Sequence, residues 1–257
     1  MSCTSQFQWT SAARTDVGRV RQRNEDSCLD LPDRGLWAVA DGMGGHSVGD
    51  YASQEVIKAL SVLPLPATFS GLLDDARLAL QQVNKELLDE AARRHVRRIG
   101  STVVMMLACE RLCGCLWAGD SRLYLYRDGH LTQLTRDHSQ VEQLKERGLI
   151  TAEEAQHHPA HNMITRAVGA THGLSLDQTL VEVSDGDVFL LCSDGLSNEV
   201  TDADIATILA RETDCTACAD ALVEAALRNG GHDNVTAVVA RAEDPYLTDK
   251  TLVNPDF

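Results

Sequence analysis

The sequence has no apolar run near the length of a membrane span; the longest, Thr102 to Cys109, is strand-sized. Its opening residues, Met-Ser-Cys-Thr-Ser-Gln-Phe-Gln, lack the basic start and apolar core of a secretory signal, so a cytoplasmic protein with no membrane partner is expected. Positive charge is scarce: 23 Lys and Arg stand against 38 Asp and Glu, a formal net charge of −15. A surface this acidic repels nucleic acid and anionic lipid unless basic residues gather locally. One such gathering exists, Arg93-Arg94-His95-Val96-Arg97-Arg98, and it closes a helical pattern, where cations complement the helix dipole.

Paired metal-binding cysteines are also missing. Of the eight cysteines, Cys113 and Cys115 fall on a strand pattern and Cys215 and Cys218 on a helical one. A zinc site wants its close pairs on loops, so these are read as reduced core thiols, and no disulfide is expected in a cytoplasmic protein. His157 and His161 have no acid or cysteine to complete a site. No internal repeat, low-complexity tract or domain boundary interrupts the 257 residues. The expectation is one domain, residues 1–242, with a polar tail at 243–257. No long hydrophobic seam asks for an oligomer, so a monomer is expected.

What the chain does have centres on Leu36 to Asp50. Five apolar residues, Leu36 to Ala40, form a buried-strand signal that stops at Asp41, with glycines at Gly42, Gly44, Gly45 and Gly49 before a helical pattern. A carboxylate fixed at a strand end beside bare backbone suits a hard cation, and the Gly42 carbonyl can approach one without a Cβ in the way. Taken alone, Asp41-Gly42 reads first as a turn, which Asp-Gly commonly is. A phosphate-cradling loop fits poorly, since neither Gly-Lys-Ser/Thr nor Gly-x-Gly-x-x-Gly is present.

Upstream, Asp16 to Gly18 makes a turn, and Arg19, Arg21 and Arg23 alternate, which in an extended segment puts them on one face ahead of Glu25 and Asp26. They read either as a solvated ion-pair ladder or as a phosphate clamp beside a metal ligand. Helices are predicted from Tyr51 to Leu63 and from Leu72 to Ala92. Closely spaced strands follow at Thr102–Cys109, Leu112–Ala118, Leu123–Tyr126 and His130–Leu134, read as an antiparallel meander with a hairpin turn at Asp128-Gly129. Residues 136–168 are polar and partly helical, with Thr151-x-x-Glu154 resembling a capping box; a connection this long suggests a flap. Strands Ser175–Val183 and Val188–Cys192 precede Ser193-Asp194-Gly195-Leu196, which repeats the strand-Asp-Gly device. Two helices follow, one capped by Thr201 and one over Cys215–Arg228. His232-Asp233-Asn234 then leads into a last strand, Val235 to Ala240.

Asp41, Asp120 and Asp194 each follow an apolar strand run and Asp233 precedes one. Such ends can share one edge of an antiparallel sheet, where several carboxylates repel unless cations join them. Oxygen donors favour magnesium or manganese. The residue pattern alone points to a metal-dependent hydrolase.

Arg-x-x-Asn-Glu-Asp (Arg21 to Asp26), Asp-Gly-Met-Gly-Gly-His (Asp41 to His46), Gly-Asp-Ser-Arg (Gly119 to Arg122), Ser-Asp-Gly-Leu (Ser193 to Leu196) and His-Asp-Asn-Val-Thr (His232 to Thr236) occur in that order. The chain thereby resembles the PP2C (PPM) family of metal-dependent protein phosphatases in its compact bacterial form, over roughly Ser11 to Arg241. The resemblance implies an α+β fold, an antiparallel β-sandwich flanked on both sides by pairs of helices. It implies two Mn2+ or Mg2+ ions: Asp41 bridging them with the Gly42 carbonyl on one, Asp194 and Asp233 completing the first site, Glu25 supporting the second, and Asp26 holding a metal-bound water. Asp120, with Asp194, matches a third and weaker ion. Arg21 would grip the substrate phosphate, and 136–168 would be the family's variable flap.

The implied reaction is attack of a metal-bridging water on phosphorus in line with the leaving serine or threonine oxygen. One departure is Met43, which stands where many eukaryotic members carry a histidine taken as the general acid. A metal-bound water, or His46, is left for that role. Implied partners are phosphoserine and phosphothreonine proteins, among them a cognate kinase or its substrates. Two other functions compete: a catalytically dead adaptor that binds phosphoproteins, and a metal-dependent nuclease or small phosphoester hydrolase.

Overall fold

Trp37 and Val39 project to one side of strand β3 (Leu36–Met43), Leu36, Ala38 and Ala40 to the other, and all are buried. A strand covered on both faces needs an unbroken apolar run, which is what Leu36 to Ala40 supplies. The same division holds in β5 (Val103–Cys109), β10 (Val188–Cys192) and β11 (Val235–Glu243), where alternate residues enter different cores. These properties dictate a four-layer α–β–β–α sandwich. The computed structural model has this architecture and describes residues 5–44, 48–64, 68–156, 158–160 and 162–246.

One sheet has the order β1 (Gln8–Asp16), β11, β10, β7 (Arg122–Arg127), β8 (His130–Gln133). The other runs β2 (Asp26–Leu31), β3, β5, β6 (Leu112–Ala118), β9 (Asp177–Glu182), with β4 (Gly100–Ser101) also paired to β3. Every strand pair is antiparallel. Between the sheets, Trp9 packs on Trp37 with ring centroids 4.8 Å apart and on Phe189 at 5.8 Å. Helices α1 (Gly49–Ser61) and α2 (Phe69–Arg93) cover the second sheet. Helices α6 (Asp202–Arg211) and α7 (Cys215–Asn229) cover the first. The remaining helices are short: α3 (Gln140–Glu146), α4 (Ala152–Gln156) and α5 (Asp194–Ser197).

Several sequence expectations need correction. The meander does not stay in one sheet. β5 and β6 pair in the second sheet, but β7 and β8 belong to the first. The chain crosses between them at Gly119, whose φ of +120° and contact with Thr102 leave no room for a side chain. The extended segment expected to align Arg19, Arg21 and Arg23 on one face is not present: residues 19–25 are bends and irregular backbone, entered through Gly18 at φ +78°. Arg19 then binds the carbonyls of Gly231 (from its backbone N–H) and Leu227 (from Nε). Strand β1 leaves little trace in the pattern because it is an edge strand with a mostly exposed polar surface. The last strand runs to Glu243, three residues beyond the expected Ala240 and into the expected tail.

The capping box at residues 151–154 is present in both directions: Thr151 N–H donates to Glu154 Oε2 and Glu154 N–H to Thr151 Oγ1. Cys28, Cys113, Cys115, Cys192, Cys215 and Cys218 are free thiols, and burial pushes Cys28, Cys192 and Cys218 up in pKa, to about 11, 12 and 12. The four cysteines read as reduced core thiols are therefore free, but Cys109 is disulfide-bonded, against the expectation of no disulfide. No helix among the described residues is long and apolar enough to cross a membrane.

Candidate active site

Asp41 lies inside β3 rather than after it, directly opposite Asp26 of β2. Its backbone is clamped by the chain that crosses behind it. Its N–H donates to Thr102 Oγ1, and its carbonyl accepts from Thr102 N–H and Ser101 Oγ. Gly42 is needed next, because a Cβ there would lie 2.0 Å from the Gly49 carbonyl oxygen. Gly49 in turn faces the Glu25 side chain, so the start of α1 closes down on both expected ligands.

The other acids arrive from different elements. Asp120 sits where the chain changes sheets. Asp194 opens α5, and Gly195 allows that helix to pass against the Asn234 carbonyl, 2.0 Å from where a Cβ would stand. Asp233 lies in the loop two residues before β11 begins at Val235. Glu25, Asp41, Asp120, Asp194 and Asp233 line one cleft of about 470 Å3, with Arg21 at its edge. The cleft lies where the two sheets meet. Arg21 donates to Asp233 Oδ2 at 2.7 Å, and that bond raises the arginine pKa.

Asp26 stands behind this wall. Its Oδ2 accepts from Ser193 Oγ and Thr236 Oγ1, both at 2.7 Å, while its buried Oδ1 has no hydrogen-bond partner. Burial, aided by the charges of Asp194 and Asp233, pushes its pKa up to about 7 against those two hydroxyl donors. Burial also raises Asp120 to about 8, with Asp194 adding to it, and Asp194 to about 6, with Asp233 adding and Arg122 and Arg21 opposing. Asp41 is raised by burial first and then by Asp26, Asp194, Asp120 and Asp233. Acids gathered this closely make a strongly cation-seeking cleft.

The donor set fits hard divalent ions: all its side-chain ligands are carboxylates, a glycine carbonyl is at hand, and one buried carboxylate oxygen is unpartnered. Among the described residues no three His, Cys, Asp or Glu side chains already converge on one point. The preference for Mg2+ or Mn2+ rests on the donors themselves, which are carboxylate and carbonyl oxygens with no cysteine or histidine among the described residues lining the cleft.

Some organising residues have no role assigned by the sequence reading, although Arg122 and Asn234 fall inside its motifs. Asn234 accepts from Glu25 N–H and donates to the carbonyls of Val17 and Arg23, tying the 17–25 loop to β11. Arg122 forks onto Asp137 and also donates to Tyr124 Oη, which reaches Asp202. His138 is structural: its Nδ1 accepts from Gly119 N–H, Nε2–H faces Asp177, and its ring stacks on Trp117. It pins the base of the 136–168 segment beside Asp120. That segment and the α5–α6 region border a groove of about 1060 Å3 that continues the cleft. Met43 lines the cleft, whereas His46, His157 and His161 lie outside the described residues.

The chain is similar to known proteins over nearly its whole length. The family model described as Protein phosphatase 2C matches residues 10–235. The serine/threonine protein phosphatase PstP of Mycobacterium tuberculosis is 42% identical over 91% of the chain, which spans 45% of that relative's length. The serine/threonine phosphatase stp of Listeria monocytogenes is 34% identical over 90% of the chain and 94% of its own length. A crystal structure of the PstP catalytic domain in complex with two manganese ions aligns with a TM-score of 0.83 at 39% identity, covering 93% of this chain and 100% of that one.

Proposed function

The chain belongs to the protein phosphatase 2C family of metal-dependent serine/threonine protein phosphatases, and from that premise we propose that it hydrolyses phosphoserine and phosphothreonine in proteins. The observation that carries the reading is the convergence of five carboxylates and Arg21 on one cleft. Asp41, Asp194 and Asp233 with the Gly42 carbonyl would hold one pair of Mn2+ or Mg2+ ions, Glu25 and Asp26 supporting it, Asp26 through water. Asp120 with Asp194 would take a third, weaker ion. When bound, such ions acidify water into a nucleophile and neutralise phosphoryl charge.

The chain's own residues supply the rest. Arg21 turns from Asp233 to the phosphoryl oxygens, donating N–H bonds where negative charge grows. Thr102 and Ser101 hold Asp41 in place by its backbone, so the carboxylate stays fixed while charge redistributes. Met43 has no proton to give, and the leaving alkoxide takes its proton from water in the open cleft. Residues 136–168 form a flap over the substrate groove, within one domain of residues 1–242 and a tail after it. The substrates are phosphoproteins of a cognate serine/threonine kinase, met by a monomer. A cytoplasmic setting fits that role.

The test is turnover of a phosphothreonine peptide with manganese, with magnesium and with chelator, for wild type and Asp194→Asn. Metal-dependent activity that collapses in the variant supports the reading. Activity indifferent to both overturns it. Folded, metal-binding but inactive protein favours a phosphoprotein-binding adaptor.

A further inference from the structure

The basic stretch at residues 93–98 divides in two. Helix α2 ends at Arg93, and His95, at φ +55°, takes the left-handed position that stops it. His95 N–H binds the Ala92 carbonyl and Val96 N–H the Ala91 carbonyl, the paired bonds of a Schellman ending. Arg93 and Arg94 belong to the helix end, where both pair with Glu90, and Arg94 also lies over the Tyr51 ring at 5.2 Å. Helix-dipole complementation accounts for these two. It does not account for Arg97 and Arg98, which come after the stop. Both are exposed, and among the described residues neither side chain has a hydrogen-bond or ion-pair partner.

Their place is set by the cleft. The Arg98 carbonyl packs against Gly44, 3.1 Å from where a Cβ would be, and Met43 pairs with Gly100 in β4. Met43, Gly44 and Thr102 all line the cleft. Arg98 and Thr102 flank the short strand β4 (Gly100–Ser101), a separation of four residues that spans at most roughly 13 Å at strand rise. Positive charge with no partner among the described residues therefore stands at the rim of the cleft in a chain of net charge −15.

We propose that Arg97 and Arg98 form a docking site for an acidic stretch of the substrate polypeptide, about four residues from its phosphorylated serine or threonine. The inference rests on the phosphatase reading and adds a preference to it. Guanidinium groups suit carboxylates because they offer paired donors in a fixed fork. The spacing matches an extended peptide whose phosphorylated residue sits in the cleft. Polynucleotide and anionic membrane fit less well. Both are recognised by larger basic fields, and here Glu90 already neutralises part of the cluster.

The test compares two phosphothreonine peptides, identical except that residues three to five positions from the phosphothreonine, on both sides, are Glu in one and Ser in the other. Wild type is set against the Arg97→Glu/Arg98→Glu double variant, with an aryl phosphate as a substrate that cannot reach the rim. Wild type should show kcat/KM roughly 5- to 10-fold higher for the acidic peptide, through KM, fading with added salt. The double variant should lose that advantage and keep its aryl phosphate turnover. Equal use of the two peptides by wild type, or a preference that survives charge reversal, overturns the proposal. A second arm measures fluorescence anisotropy of the unphosphorylated Glu-containing peptide. If no phosphoester is turned over but this peptide binds wild type and not the variant, the phosphatase reading fails and the docking site stands. Wild-type binding to phosphatidylserine vesicles that charge reversal abolishes, without peptide discrimination, also overturns the proposal and assigns the patch to lipid.

Discussion

Arg21 donates from its guanidinium to Oδ2 of Asp233 at 2.7 Å, joining the expected phosphate clamp to an expected metal ligand. Arg21 is exposed and the bond is open to solvent, so it can be exchanged at small cost. On the proposed reading the pair would act as a latch: Asp233, as a metal ligand, would release the arginine, and Arg21 would then be free to donate to a phosphoryl group.

Replacing Arg21 separates the two halves of that latch. Arg21→Ala should lower kcat/KM on a phosphopeptide by roughly 100-fold, as expected for removing a donor to developing transition-state charge. It should not weaken manganese binding, since the Asp233 carboxylate loses a competitor. Steady-state kinetics and titration calorimetry check the two parts, and a variant that loses manganese affinity would sink the latch.

The raised carboxylates make stability without metal depend on pH. Burial and mutual repulsion lift Asp194 to about 6, Asp26 to about 7 and Asp120 to about 8, from an unfolded value near 4. The folded state therefore binds more protons than the unfolded state in that interval, and stability falls as pH rises. The contribution is fully present below about pH 4 and lost as pH climbs through the folded values, from about 6 to about 8. In chelator, Tm should drop by about 5 °C or more between pH 5.5 and 8.5. Saturating manganese should remove most of that slope, and thermal melts in the two conditions decide it.

The parts of the fold legible in the sequence are those where local pattern and burial coincide. Leu112–Ala118 and Val188–Cys192 have the bounds read from the pattern, because strands buried on both faces are unbroken apolar runs. The gathering of Asp41, Asp120, Asp194 and Asp233 was legible for a related reason, since each acid abruptly ends or begins such a run. The rest depends on distant contacts. The crossing at Gly119 is set by Thr102 packed against it, and edge strand β1 has too little buried surface to alternate. Glu25 and Asn234 are 209 residues apart, and no local pattern announces that one positions the other.

Asp26 offers a trade between stability and activity. Its orphaned Oδ1 is a cost in the metal-free fold, while Oδ2 is held by Ser193 and Thr236. Asp26→Asn keeps an oxygen for those two hydroxyls and removes the buried charge. The variant should melt higher than wild type in chelator at pH 8 and bind manganese about 10-fold more weakly, the usual scale for a group acting behind the ligands. A variant that melts lower in chelator would mean that the charge itself supports the fold.

Asn234 is the sharpest test of how the site is assembled. Its side chain makes three bonds to the backbone of the 17–25 loop, at Val17, Arg23 and Glu25, and is almost fully buried. Asn234→Ala leaves those groups unpaired and should cost roughly 2–4 kcal/mol, given about 1 kcal/mol or more for each buried group left unmade. The cost should be local as well as global. Arg21 and Glu25 both ride on that loop, so phosphate binding and metal binding should weaken together, although neither residue is altered. Asn234→Asp discriminates further: it keeps the acceptor for Glu25 N–H but loses the donor to both carbonyls and adds a charge beside Asp233. Denaturant melts with inorganic phosphate and manganese titrations would measure all of these effects. An alanine variant that loses stability but keeps both affinities would show that the loop is positioned by Arg19 and Gly231 instead.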